Sequence, residues 1–419
     1  MAVISRIVIA FCIFGVQFSF AQALTQQPTF EGSEHILLGD QIKLFFSRQD
    51  PGQLGYLLHL PNGLRISYGD IVSFGDLYGP LNISIAHGST DAERKALFLA
   101  AFNAFASNLK AKDEAEKLLA VLHHEKKLLE DGIERGEDPE KIFQKIGSET
   151  SRQLNCITGG GCNPKTWFLH PGRYLLLANI DFDHFGDDAW LAYQTGHEIA
   201  LAEAFSAHAT GDLQKLEIAY AMNAFASHFL SDRFSAGHIR TPRDELYDMV
   251  TPSFVGSLLA GFMHREENSA AIHVHNKRDD HWLAFGDRKY LCAVNSDNRH
   301  FLNEALQSSA RQIFDIFVDG FIREDVVPDI LPYADETLNQ NQKDLSPMFY
   351  FDPQTKKLLR RVDLENIYDR HFTDHWWGLS TLALLTKARG LPLEAQDQFK
   401  NSEWREWALQ HKLIPDSFE

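Results

Sequence analysis

The segment Asn223-Ala-Phe-Ala-Ser-His228-Phe-Leu-Ser-Asp232-Arg-Phe-Ser-Ala-Gly-His238 constrains the fold more than any other part of the chain. It sets two imidazoles and a carboxylate into an otherwise apolar run. His228 and Asp232 are four residues apart, so on a helix they share one face. Imidazole and carboxylate at that spacing can grip one cation, as helical histidine pairs do in zinc enzymes. Ser235-Ala-Gly237 loosens the helix and lets His238 turn into the same cavity. Upstream, Asp181-Phe-Asp183-His184-Phe supplies an imidazole in a loop before a helix. Downstream, His264 and Glu267 stand three apart on one helical face. Such a set exceeds what one ion needs, and a multinuclear site is the economical reading.

The surrounding pattern is helical. Thr90-x-x-Glu93 is a capping box opening an apolar-periodic stretch through Leu109. Asp187, Asp188 and Asp212 are capping candidates for helices over 189–210 and 213–230. Residues 253–267 and 302–317 read as helices too, and a charged stretch through Glu125 and 134–141 reads as solvent-facing helix. Residues 24–66 mix short apolar runs with turn residues and suggest strands or an extended arm. Residues 327–347, rich in Pro, Asn, Gln and Asp, mark a loop or linker. A helical C-terminal extension is expected over 326–419. The fold class is mainly α.

The chain opens with Arg6, an apolar run from Ile7 to Val16 and the small-residue site Ala21-Gln22-Ala23, the pattern of a secretory leader over residues 1–23. That run is too short to span a bilayer, which takes about 20 residues. Loss of Arg6 with the leader takes the net charge from −17 to about −18. Nucleic-acid affinity rests on Lys and Arg neutralising phosphates, so no stable nucleic-acid partner is expected. Export also bears on the cysteines. Cys156 and Cys162 bracket Ile-Thr-Gly-Gly-Gly, and in an oxidising compartment a local disulfide is expected. A zinc-ligand pair is the alternative, but no second cysteine pair accompanies it. Cys292 is left as a buried thiol.

His228, Asp232 and His238 reproduce the His-x3-Asp-x5-His signature of zinc-dependent phospholipases C and the related single-strand nucleases, and over residues 60–290 the chain resembles that superfamily. His184-Phe-Gly-Asp187 is similar to its earlier His-Phe with an acidic turn, and His264 to its later histidine. Ser67-Tyr-Gly-Asp70, Gly75-Asp76-Leu-Tyr-Gly79 and the stretch 229–243 look closest to Gram-negative secreted zinc metallophospholipases C. The family spaces a carboxylate four residues after the later histidine, whereas position 268 here is Asn; Glu267 is then the candidate, with Glu266 in reserve. The family's N-terminal Trp ligand is absent, since cleavage leaves Leu24. Its bridging Asp is also missing from the usual place, and Asp76 takes that role and that of catalytic carboxylate, with Asp70 and Asp183 as alternatives. The resemblance implies a phosphodiesterase domain over 24–325 holding two zinc ions, with a third position open.

The activity it implies is hydrolysis of the glycerol-side phosphodiester of phosphatidylcholine or a similar phospholipid at a membrane surface, releasing diacylglycerol and a phosphorylated head group. A nuclease or other phosphodiesterase on the same metals, and a non-enzymatic metal-stabilised binding protein, are the alternatives. Arg240 and Arg243 directly follow a ligand and are candidates for holding the substrate phosphate, or else ion pairs. His197 is a candidate to orient a ligand, or a core histidine. His273 and His275 read as one face of a strand, His123 and His124 as solvated, and Trp376-Trp377 as core rather than a lipid wedge.

Overall fold

The computed structural model describes residues 32–180, 182–335 and 344–389; the expected leader, Asp181 and the Trp404-x-x-Trp407 stretch lie outside them. The chain is mainly helical. It begins with α1 (Gly32–Gly39), a short hairpin of β1 (Leu58–His59) and β2 (Arg65–Ile66), α2 (Tyr68–Val72) and a 3-10 turn at Ser73–Asp76. Helices α3 (Asp91–Ala106), α4 (Lys112–Glu134), α5 (Pro139–Ile146), α6 (Glu149–Ile157) and α7 (Arg173–Ala178) follow. The centre is built by α8 (Gly186–Thr210), α9 (Leu213–Asp232), α10 (Ala236–Ile239), α11 (Arg243–Met249) and α12 (Ser253–Ala270). The remainder comprises β3 (Ile272–His275), β4 (His281–Ala284), α13 (Ser296–Asp319), α14 (Val327–Ile330), β5 (Tyr333–Ala334), β6 (Phe349–Asp352), β7 (Lys357–Arg361), β8 (Phe372–Thr373) and α15 (Gly378–Arg389). No helix of the described residues is long and apolar enough to cross a membrane.

Helix α9 is the axis of the molecule. Asp212 caps it by accepting from the backbone of Gln214 and Lys215, after Gly211 has ended α8 in the left-handed conformation that glycine adopts without steric cost. Ala219, Ala221, Ala224 and Ala226 are fully buried along it. Such small side chains let neighbouring helices approach closely from several sides, so the helix is buried almost all round and its polar residues must find partners inside. Phe225 of this helix packs with Phe98, Phe102 and Phe105, and Phe105 with Phe74, in tilted and edge-to-face pairs.

Two regions differ from the sequence expectation. The stretch read as an extended arm begins with a buried helix: Ile36 and Leu38 of α1 are fully enclosed in the main core. The C-terminal stretch is not simply helical. A β6–β7–β8 antiparallel sheet precedes α15, and it shares a second core with α11 and α12 through Leu246, Leu259, Met263, Phe349, Leu358 and Leu385. Nor is 325/326 a packing boundary, because Val327 and Ile330 belong to the main core and β5 pairs with β3. Trp376 joins the second core and donates to the Leu358 carbonyl, while Trp377 is 60% exposed.

A buried ionic knot ties this C-terminal region to α12. Arg361 makes a two-pronged contact with Glu266, at 2.8 and 2.9 Å, and Arg389 reaches the same carboxylate at 2.6 Å. Burial alone would push the Glu266 carboxyl up, yet the two guanidinium groups hold it below its usual range. Removing one partner of a buried, hydrogen-bonded pair strands the other charge. Glu266→Ala leaves two buried guanidinium groups without their acid and is therefore expected to destabilise the fold by about 3 to 5 kcal/mol in urea unfolding; a loss within experimental error would show that the knot is not a stabilising element.

Candidate metal centre

Eight side chains converge beside the C-terminal half of α9. His228 and Asp232 come from α9, His238 from α10, His264 from α12 and His35 from α1; Asp76 and His184 end 3-10 turns, and Asp287 follows β4. Three groups have donor atoms within 4.8 Å of one another: His35–Asp76–His228, His184–His228–Asp232 and His238–His264–Asp287. They are linked. Asp232 Oδ2 lies 2.7 Å from His184 Nδ1 and 3.3 Å from His228 Nε2, and Oδ1 lies 3.6 Å from both His35 Nε2 and His238 Nδ1. Asp76 Oδ1 stands 3.7 Å from His228 Nε2 and 4.0 Å from His184 Nδ1. The His238 and His264 rings stack at 4.6 Å, and His264 Nε2 is 3.3 Å from Asp287 Oδ2.

The protonation pattern suits cation binding. His228 Nδ1 donates to the Val72 carbonyl at 2.9 Å; a carbonyl can only accept, so Nε2 is left with its lone pair facing the cluster. Burial pushes the pKa values of His228, His238 and His264 well below the usual imidazole range, and neighbouring cationic groups push the same way. His35 falls to about 3, from burial and then the charge on His184. All four are therefore neutral at pH 7, the form that binds metal. His238 is fully buried, and neither of its ring nitrogens finds a normal hydrogen bond among the described residues. Leaving a buried polar group unsatisfied costs about 1–3 kcal/mol. A cation among these nitrogen and oxygen donors removes that cost, so the residues fit a metal ion.

Glycines bring the backbone close enough. A Cβ at Gly75 would lie 2.1 Å from the His228 ring, and one at Gly286 would lie 1.7 Å from Asn268 Oδ1. Each glycine precedes a carboxylate of the cluster, in the tripeptides Phe74-Gly75-Asp76 and Phe285-Gly286-Asp287. Phe-Gly-Asp occurs a third time, as Phe185-Gly186-Asp187, without placing Asp187 in the cluster, so the tripeptide is only a weak signal for Asp287, which the sequence reading missed. His35 was missed as well, since a lone histidine in a stretch read as extended carries no such signal.

The structure brings together His184, His228, Asp232, His238, His264 and Asp76 from the sequence-predicted set, and places the others elsewhere. Glu267 is not among the groups around His264 and pairs instead with Arg240 at 2.7 Å; burial raises its carboxyl to about 7. Its expected place is filled by Asp287. Asn268, one helical turn beyond His264, donates to Asp287 Oδ2 at 2.7 Å and accepts from the Gly237 amide at 2.6 Å, so it holds the acid and the His238 turn together. Arg240 and Arg243 are engaged by protein acceptors, although the charge of Arg243 is near enough to His264 to help hold the pKa of that imidazole down. Arg240 is committed to Glu267 and the Leu345 carbonyl, and Arg243 to Ser257 and the Asn179 carbonyl. Asp70 caps α2 and pairs with His123, while Asp183 accepts the Ile85 and Ala86 amides, which leaves neither as a bridging acid.

His197 sits in a core network with Gln312 and Asn223, rather than against a ligand. His123 and His124 are both exposed, as read, and His123 also pairs with Asp70 at 2.6 Å. His273 and His275 do share one face of β3. The Cys156–Cys162 disulfide is present, and the Cys292 thiol, partly buried, is pushed up to about 12 by burial. Compared with protein-family models, with curated proteins and with solved structures, the chain finds no match.

Two outcomes follow from this geometry. Asp287→Asn is expected to lower the bound divalent metal measured by elemental analysis, whereas Glu267→Gln leaves it unchanged; the reverse pattern would restore Glu267 as the ligand. The second concerns pH. Folded pKa values below the unfolded value of about 6.5 give a stabilisation that is complete above that pH and lost as acid protonates the unfolded chain first. The melting temperature of chelator-treated protein should therefore fall steadily on acidification below roughly pH 6.5, and less steeply in His35→Asn. A melting temperature that rises on acidification would contradict neutral buried imidazoles.

Proposed function

We propose that the chain is a zinc-dependent phosphodiester hydrolase of the phospholipase C type, acting on phosphatidylcholine or a similar phospholipid. The observation that carries this reading is the linked set of three donor groups, made only of imidazoles and carboxylates and joined through His228 and Asp232. Nitrogen and oxygen donors of this kind suit zinc, and three groups provide for two ions with a third position. When bound, zinc supplies a Lewis acid for the phosphoryl oxygens and lowers the pKa of water.

The protein's own part is positioning and proton handling. Asp232, fully buried, holds His184 and His228 in place. Val72 fixes the tautomer of His228, and Asn268 steadies Asp287. Asp76 retains about 10% side-chain exposure at the edge of the cluster, and so is the carboxylate that can orient an attacking water and accept its proton. The engagement of Arg240 and Arg243 and the net charge of −17 leave the site without a cationic track for a polynucleotide, which favours a lipid substrate. The mainly helical architecture accords with a phospholipase C/nuclease-type domain.

The test is product analysis on phosphatidylcholine vesicles with zinc-loaded protein starting at Leu24. Diacylglycerol and phosphocholine are expected, and both disappear with a chelator or in His228→Ala. Asp76→Asn should lower kcat by roughly 100-fold or more with zinc content kept. Absence of product from protein holding two or more zinc ions would sink the lipid substrate, and degradation of single-stranded DNA by that sample would establish the nuclease alternative.

A further inference from the structure

A fourth convergence of ligand atoms lies apart from the buried eight. His87 stands in the loop before α3, Asp188 on α8 and Asp244 on α11, and all three side chains are partly open to solvent. His87 Nε2 is 2.9 Å from Asp188 Oδ2 and 3.0 Å from Asp244 Oδ2. One imidazole N–H has a single proton to offer, so it cannot serve two carboxylate oxygens well at once. Asp244 Oδ1 is shielded from solvent without a hydrogen bond of normal geometry among the described residues, and burial together with the nearby Asp244 charge raises the Asp188 carboxyl, so two acids crowd this point.

Its hydrogen bonds to Asp188 and Asp244 raise the pKa of the His87 imidazole to about 10, so an ion entering here displaces its proton. Phe182 stacks on His87 at 5.1 Å, and Arg243 backs Phe182 from 5.2 Å. Asp183 anchors the loop by accepting the Ile85 and Ala86 amides. The surroundings are acidic as well: burial raises the Glu245 carboxyl, and Asp244, Asp188 and Asp248 raise it further.

From this geometry we infer that His87, Asp188 and Asp244 form a separate, solvent-accessible site for a zinc-type divalent ion, which clasps the His87 loop to α8 and α11. One imidazole nitrogen and two carboxylate oxygens are a three-ligand set that leaves a position for water. The imidazole selects zinc-type ions over calcium, which prefers oxygen donors. The clasp adjoins the buried centre in sequence, because Asp188 follows His184 by four residues, but it shares no ligand with it.

The experiment uses the mature chain, zinc-loaded and gel-filtered so that only firmly held metal remains. Calorimetric titration with zinc should then show one further, weaker equivalent, with a rise in melting temperature, and calcium should show neither. His87→Ala and Asp244→Asn should each lose that equivalent while keeping the zinc retained through gel filtration, which also reports that they are folded. The proposal is overturned if the wild-type protein takes no further zinc or if both variants bind it equally. Loss of the retained zinc along with the weak equivalent would overturn the separateness of the site, and calcium binding at the same residues its zinc-type character.

Discussion

Everything near the centre depends on the carboxylate of Asp232. It is fully buried, and its two oxygens lie within 3.6 Å of ring nitrogens from four histidines carried by four different segments. A charge enclosed this way is tolerated only when surrounding groups compensate it. Three of these imidazoles, those of His35, His228 and His238, are fully buried and held neutral. The arrangement sets a buried carboxylate among imidazole nitrogens, a donor set that could hold a cation. That is why α1, the turn at His184, α9 and α10 must meet at this point.

The groups that do the positioning are mostly backbone or neutral. The Val72 carbonyl sets the tautomer of His228, and Asn268 joins Asp287 to the amide of Gly237. At Gly75 and Gly286 the lack of a side chain lets the chain pass against His228 and Asn268, and so carries Asp76 and Asp287 to the cluster. Helix α12 connects this shell to the rest of the molecule. His264 serves the centre from it, and Glu266, two residues on, holds Arg361 and Arg389 of the C-terminal region. The β6–β8 sheet thus braces the helix that presents one of the ligands.

The legible part of the site is the part written at helical spacing. His228 and Asp232 share a face because they are four residues apart, and the Ser-Ala-Gly break after them turns His238 inward. Glu267 shows the limit of such arithmetic. Three residues from His264 is a spacing that suits shared ligation, but Arg240 claims the carboxylate from across the fold, and an acid from after β4 takes the place. Arg240 and Arg243 fail for the same reason: a guanidinium beside a ligand in sequence is drawn to whatever acceptors the packed neighbours offer.

What the sequence by itself determined was local: the helical character, the caps at Thr90 and Asp212, the spacing on α9 and the close Cys156–Cys162 pair. Each follows from residues within a few turns of one another, where periodicity and backbone preference act directly. What only the tertiary structure decided was which distant groups join them. His35 and Asp287 enter the centre, Glu266 pairs with Arg361 across 95 positions, and the C-terminal stretch forms a sheet. Those choices rest on burial and on compensating charge between segments far apart in the chain. Packing decides which group reaches a buried charge, and no local pattern encodes it.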